Sequence, residues 1–296
     1  MKNRLTYNTF AHAQIVPLVD RLEYHARQME TSRHPRHLHR VRVTIRRLRN
    51  ALNLFSDIFP PLPRKRWDYH IKVASNAASR ARDIDVQIAS LKSYITALSH
   101  GHERKDIRRL IDDFKRHRDT MQPAVMGALR GLRQGATLAA IKTACRTSVI
   151  SREDPFERIY IVGFNEIRDR VGKVLTFESC LNQPEKADPL HKMRIANKHL
   201  RYALEVLRPV YSRELSVFLE KILFFHRTLG ELHDQDVWIA YLAGMDVRRS
   251  TAAQNLKSHC CSRRRQCYNA FKISWRRQRR DRLFEDLLGY FCSALP

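Results

Sequence analysis

Glycine and proline are scarce here, 9 and 11 in 296 residues. That shortage argues against a turn-rich all-β chain and in favour of long helices. The six cysteines (Cys145, Cys180, Cys260, Cys261, Cys267 and Cys292) include no C-x-x-C pair, so they read as reduced thiols of a cytosolic protein. A zinc site from His259, Cys260, Cys261 and Cys267 is weak on geometry, because neighbouring cysteines on one helix point about 100° apart. No run comes near the roughly 18–20 apolar residues of a spanning helix. The opening stretch MKNRLTYNTFAHAQ lacks the apolar core of a signal peptide. A cytoplasmic protein with no membrane association is expected. Acids are the other deficit: 30 against 55 Lys and Arg, a net charge of +25. An apolar fraction of 43% still supports a real core, so this is a folded polycation, and its partner should be a polyanion.

What the chain does contain, it states twice. Residues 38–55 read LHRVRVTIRRLRNALNLF and residues 190–207 read LHKMRIANKHLRYALEVL. ARDIDV at 81–86 is echoed by LHDQDV at 232–237. Internal repetition of this kind sets the architecture first: repeat 1 covers about 7–150 and repeat 2 about 151–292. The expected fold is all-α, two pseudo-symmetric four-helix bundles packed around a basic cleft. In repeat 1 the apolar spacing predicts helices over 7–29, 36–58 and 64–98, one over 103–132 kinked at Pro123, and an apolar connector over 136–150. In repeat 2, Asp154-Pro155 predicts a capped start for a helix reaching about 175. Further helices are expected from the second motif to about 211, over 213–244 and over 250–292.

At about 100° per residue, Leu38, Val41, Ile45, Leu48, Leu52 and Phe55 form one stripe of the motif helix. His39, Arg42, Arg46, Arg49 and Asn53 form a second stripe beside it. In the other copy Leu190, Met193, Leu200, Leu204 and Leu207 are apolar, and His191, Arg194, Lys198, Arg201 and Glu205 form the polar row. Asn197 interrupts the apolar stripe and is expected at a polar seam. Each cationic row spans roughly 15 Å over three turns. Like charges at three- and four-residue spacing repel, and a chain that repeats this repulsion at matching positions calls for an anion that relieves it. Arginine suits the task through its planar, permanently charged fork; histidine adds a donor that charges as pH falls.

Asp83, Asp85, Asp234 and Asp236 allow two readings. In the preferred one they pair with motif-helix arginines and hold their rotamers. In the other, His233-Asp234 joins a motif histidine in a metal-dependent phosphohydrolase. The first copy has Arg82 in place of His233, and a metal needs three or four converging ligands, so no metal and no cofactor are expected.

The pattern Leu-His-x-x-Arg-x-x-x-(Arg/Lys)-x-Leu-Arg-x-Ala-Leu, each time followed by an acidic D-x-D-V segment, resembles the CHAD domain family over roughly residues 8–292. The resemblance implies an α-helical fold of two pseudo-symmetric bundles that binds inorganic polyphosphate through basic residues, without established catalysis. Carried across, it assigns the binding to His39, Arg42, Arg46 and Arg49 and to His191, Arg194, Lys198 and Arg201. It also implies association with polyphosphate granules. Some members of the family carry a triphosphatase domain marked by E-x-E-x-K, and no such motif occurs in this sequence. The chief alternative is a nucleic-acid binder using the Arg-dense segment Arg263, Arg264, Arg265, Arg276, Arg277, Arg279 and Arg280. Against it, the rows interleave no aromatics for base stacking, and no RRM, KH, zinc-finger or P-loop signature appears. Nothing in the pattern sets an oligomeric state.

Overall fold

Two segments of similar length cluster separately in the computed structural model, Met1–Arg158 and Ile159–Pro296. The structure describes residues 6–32, 34–98, 101–151, 154–211, 213–244 and 250–296. Among these residues the chain is all-helical, and no helix is long and apolar enough to cross a membrane.

The first unit contains α1 (Tyr7–Thr31), α2 (Pro35–Leu54), α3 (Pro61–Thr96), α4 (His102–Thr120), α5 (Gln122–Gln134) and α6 (Thr137–Ser151). Helix α1 begins with a capping box in which the Thr6 hydroxyl accepts from the Thr9 backbone N–H and the Thr9 side chain accepts from that of Thr6. It packs on α2 and α6, and Phe55 at the end of α2 meets Tyr7 and Phe10 edge-on at 5.6 and 5.9 Å. Prolines set the boundaries. Pro35 and Pro61 occupy first-turn positions, where a missing N–H costs nothing.

Where one kinked helix over 103–132 was expected, there are two. Pro123 cannot donate to Asp119 and its ring would crowd that carbonyl, so α4 stops at Thr120 and Pro123 falls in the first turn of α5. The expected connector is itself a helix, α6, whose Leu138, Ile141 and Cys145 are buried. The Asn8 side-chain amide donates to the Ser148 carbonyl at 3.0 Å and ties α6 to α1.

The second unit holds α7 (Arg158–Leu175), α8 (Ala187–Leu207), α9 (Glu214–Ala243), α10 (Thr251–Arg280) and α11 (Leu283–Cys292). Asp154 does not cap α7. Its carbonyl accepts from the Tyr7 backbone N–H at 3.2 Å and its carboxylate pairs with Arg158 at 3.0 Å, so the helix starts later than the Asp-Pro signal suggests. Helix α9 packs against both α8 and α10, with Phe225 against Phe271 and Trp275 at 5.6 and 5.2 Å.

The last helix is also divided. Arg282 takes a left-handed conformation, φ 53°, and α11 turns back. The turn lets Phe284 reach Trp275 at 5.3 Å and Phe291 reach Tyr211 at 4.3 Å, contacts a straight continuation would not make. Among the described residues, six α-helices in one unit and five in the other therefore replace the four expected per repeat.

Candidate functional site

The apolar stripe of α2 is anchored as its spacing demands: Leu38, Val41, Ile45, Leu48, Leu52 and Phe55 are all buried. The same holds in α8 for Leu190, Met193, Leu200, Leu204 and Leu207. Asn197 is not at a polar seam. It is 1% exposed, and its amide donates to the Ile222 carbonyl of α9 at 3.1 Å, which makes its burial tolerable. With those stripes fixed, the polar stripe of each helix lies at the edge of its core. His39 is exposed and Arg42, Arg46 and Arg49 are half-buried; His191, Arg194, Lys198 and Arg201 are all half-buried.

The rows are not uniformly cationic. At the far end of the first, Arg49 pairs with Asp68 of α3 at 3.1 Å. At the matching end of the second, Arg201 pairs with Glu205 and lies over the Tyr202 ring at 4.1 Å. Arg42 faces Asp83 at 3.7 Å, a long ion pair, and Arg46 makes no ion pair among the described residues.

The heads of the rows differ in chemistry. His39 is held below the ordinary histidine range by partial loss of hydration and then by Arg82, Arg42 and Arg46. In the second unit the Nδ1 atoms of His191 and His233 are 3.0 Å apart, so one ring donates and the other accepts, and the two cannot both be protonated. Burial, then Arg194, His191 and Lys198, push His233 down to about 3. His191 is also lowered, by burial and then by Arg194 and Lys198, with Asp188 and Asp236 opposing. Two imidazoles do not make a metal centre: among the described residues no group of three His, Cys, Asp or Glu could hold an ion. Nor do the α10 cysteines converge, since Cys260 and Cys267 are buried and Cys261 is exposed. Burial pushes the Cys260 thiol up to about 11.

The acidic echoes work differently from the expectation that all of them hold motif-helix arginines. Asp83 does so, through Arg42. Asp85 turns the other way, accepting from Nε of Arg118 on α4 at 3.0 Å. Asp236 pairs with Arg264 of α10, and Arg264 also donates to the Pro184 carbonyl just ahead of α8 at 2.6 Å. Asp85 is so enclosed that burial raises its carboxyl above the usual range, against the pull of Arg118 and Arg82. Neither Arg118 nor Arg264 stands out in the sequence as a partner, because they follow their acids by 33 and 28 residues and so escape a search at constant offset. Arg82, which faces His39, was readable only as the place where the second copy has a histidine.

A family model described as the CHAD domain matches residues 13–243. Two solved structures share the fold. The crystal structure of the CHAD domain from the plant Ricinus communis superposes with a TM-score of 0.71 at 18% identity, covering 93% of both chains. PptA from Streptomyces chartreusis superposes with a TM-score of 0.60 at 13% identity, over 92% of this chain and 100% of that one. No curated protein matches the chain.

Proposed function

Since the chain belongs to the CHAD domain family, known for binding inorganic polyphosphate, we propose that it binds this polymer through His39, Arg42, Arg46 and Arg49 and through His191, Arg194, Lys198 and Arg201. The observation that carries the reading is a cationic row on the polar stripe of α2 and again of α8, each beside a fully buried apolar stripe that fixes where the row lies. Anchoring matters because a preorganised row loses little side-chain entropy when the anion arrives. The Arg forks take phosphate oxygens two at a time, and binding releases counterions, so affinity falls steeply with salt.

The proposed role is targeting or scaffolding without catalysis, in the cytoplasm and at polyphosphate granules. Nucleic acid is the second reading, and one observation favours it: Arg263, Arg265, Arg276, Arg277 and Arg280 are all exposed along α10.

The test is titration of long-chain polyphosphate at near-physiological salt against excess DNA. It is run on the native chain and on a variant carrying Arg42→Glu, Arg46→Glu, Arg194→Glu and Lys198→Glu. The native chain should keep polyphosphate in the presence of DNA, and the variant should lose it by orders of magnitude. Undiminished binding by a variant whose helical circular dichroism is intact would overturn the site, and displacement by DNA would move the function to α10.

A further inference from the structure

Beside the head of the first row lies a cavity of about 420 Å³ whose lining includes Pro35, Arg82, Lys92, Lys115 and Arg118. Four elements build it, α5 through its first residue Gln122. Helix α3 supplies Arg82 and Lys92, α4 supplies Lys115 and Arg118, and Pro35 brings the start of α2. Pro35 precedes His39 by one turn on the same face of α2, and Arg82, whose charge acts on His39, lines the cavity. The cavity therefore continues the row.

Two acids also line it, Asp85 and Asp119. Asp85 is 8% exposed and its charge is directed at Arg118 and Arg82, at 3.0 and 3.9 Å. Asp119 is exposed. Four cations against two acids leave a formal charge of about +2 on the lining, and Lys115 is shared with Asp112 outside it, at 2.8 Å. The second unit arranges the corresponding arginine otherwise. Arg264, which holds Asp236 as Arg118 holds Asp85, donates from Nη1 to the Pro184 carbonyl ahead of α8. Arg118 directs its Nη1 to Gln122, four residues along its own chain. Of the two, the unit 1 arginine leaves the approach to its motif helix clear of such a bond.

Resting on the polyphosphate reading above, we infer that this cavity is an end-group site: it takes the terminal phosphate of a chain whose internal phosphates lie along the α2 row. A terminal phosphate differs from an internal one in chemistry that the cavity matches. It has three non-bridging oxygens in place of two, and near neutral pH it carries about −1.5 to −2 in place of −1. A lining of about +2, beside the positive end of the α2 dipole, suits that dianion better than a mid-chain monoanion. The chain would then bind with a defined direction, its end held in unit 1.

Calorimetric titration with polyphosphate of one defined length separates the possibilities, using chains with free ends and chains with both ends converted to phosphoramidates. The native protein should bind the free-ended chain about tenfold more tightly. The double variant Lys92→Ala/Lys115→Ala should abolish that preference and leave affinity for the capped chain unchanged. Asp119→Asn should widen the preference, a gain that misfolding cannot mimic. Equal affinity of the native protein for both chains would overturn the end-group site while leaving the rows standing, as would an equal loss of both chains in the double variant. If neither chain bound at all, the polyphosphate reading would fail and the end-group site with it.

Discussion

The two units carry one row in two settings, and the settings differ most at the head. In the first, His39 is exposed and faces Arg82; in the second, His191 is half-buried against His233. One substitution, arginine for histidine at the matching place of the acidic echo, thus changes the neighbour of a motif histidine from a permanent cation to a neutral ring. The middle of each row is shared, Arg42 and Arg46 against Arg194 and Lys198. What repeats is the pairing of an anchored apolar stripe with a cationic one. What diverges is the setting of the far end, where Arg49 meets Asp68 of another helix and Arg201 meets Glu205 of its own.

The largest expected effect separates the rows from each other. Arg42→Glu/Arg46→Glu and Arg194→Glu/Lys198→Glu should each weaken polyphosphate binding by about a hundredfold or more. Each should lower the slope of log affinity against log salt by about two. The first pair should cost more, because both positions are forked arginines with Arg82 beside them, whereas Lys198 offers a point charge. Equal losses measured by titration across a salt series would mean that the heads of the rows contribute nothing to the difference.

Next in size are the buried ion pairs that set α3 against α4 and α9 against α10. Arg118→Leu leaves the Asp85 carboxylate enclosed without its donor, and Arg264→Leu does the same to Asp236. Breaking one side of a buried pair costs about 3 kcal/mol. The Asp85 side chain is 5% exposed and that of Asp236 is 12%, so thermal and urea melts should show the greater loss for Arg118→Leu. The reverse order would mean that the bond from Arg264 to the Pro184 carbonyl matters more than enclosure of the acid.

These pairs also mark where the sequence stopped being legible. The motif helices, their buried stripes and the two rows could be read directly, because helical periodicity is a local property that repeats at fixed spacing. The pairing of Asp83 with Arg42 was readable in the same way. Asp85 and Asp236 were not, since their partners stand on helices of different length at different offsets. The division at Pro123 was visible as a proline and read too weakly as a kink. The turn at Arg282 had no local signal: the left-handed arginine is held in place by the burial of Phe284 and Phe291 on α11. Asn197 shows the same limit from the other side, a polar residue on an apolar stripe whose partner carbonyl lies on another helix.

The smallest effects concern protons, and folding and binding respond to them with opposite sign. His233 lies at about 3 in the folded chain, against about 6.5 unfolded. Between those values the unfolded chain binds more protons, so folding stability falls as pH drops from about 6.5 towards 3. His233→Gln should reduce that acid sensitivity in urea melts at pH 7 and pH 5, and a remainder should persist because His39 in the first unit is lowered too. Binding runs in the opposite direction. An anion on the row favours imidazolium, raising His39 and His191 from their lowered positions, so association takes up protons and affinity rises by a few-fold between pH 8 and pH 6. Calorimetry in buffers of different ionisation enthalpy measures that uptake. His39→Gln and His191→Gln should each remove part of it, and an uptake that both variants leave unchanged would place neither ring against the phosphate chain.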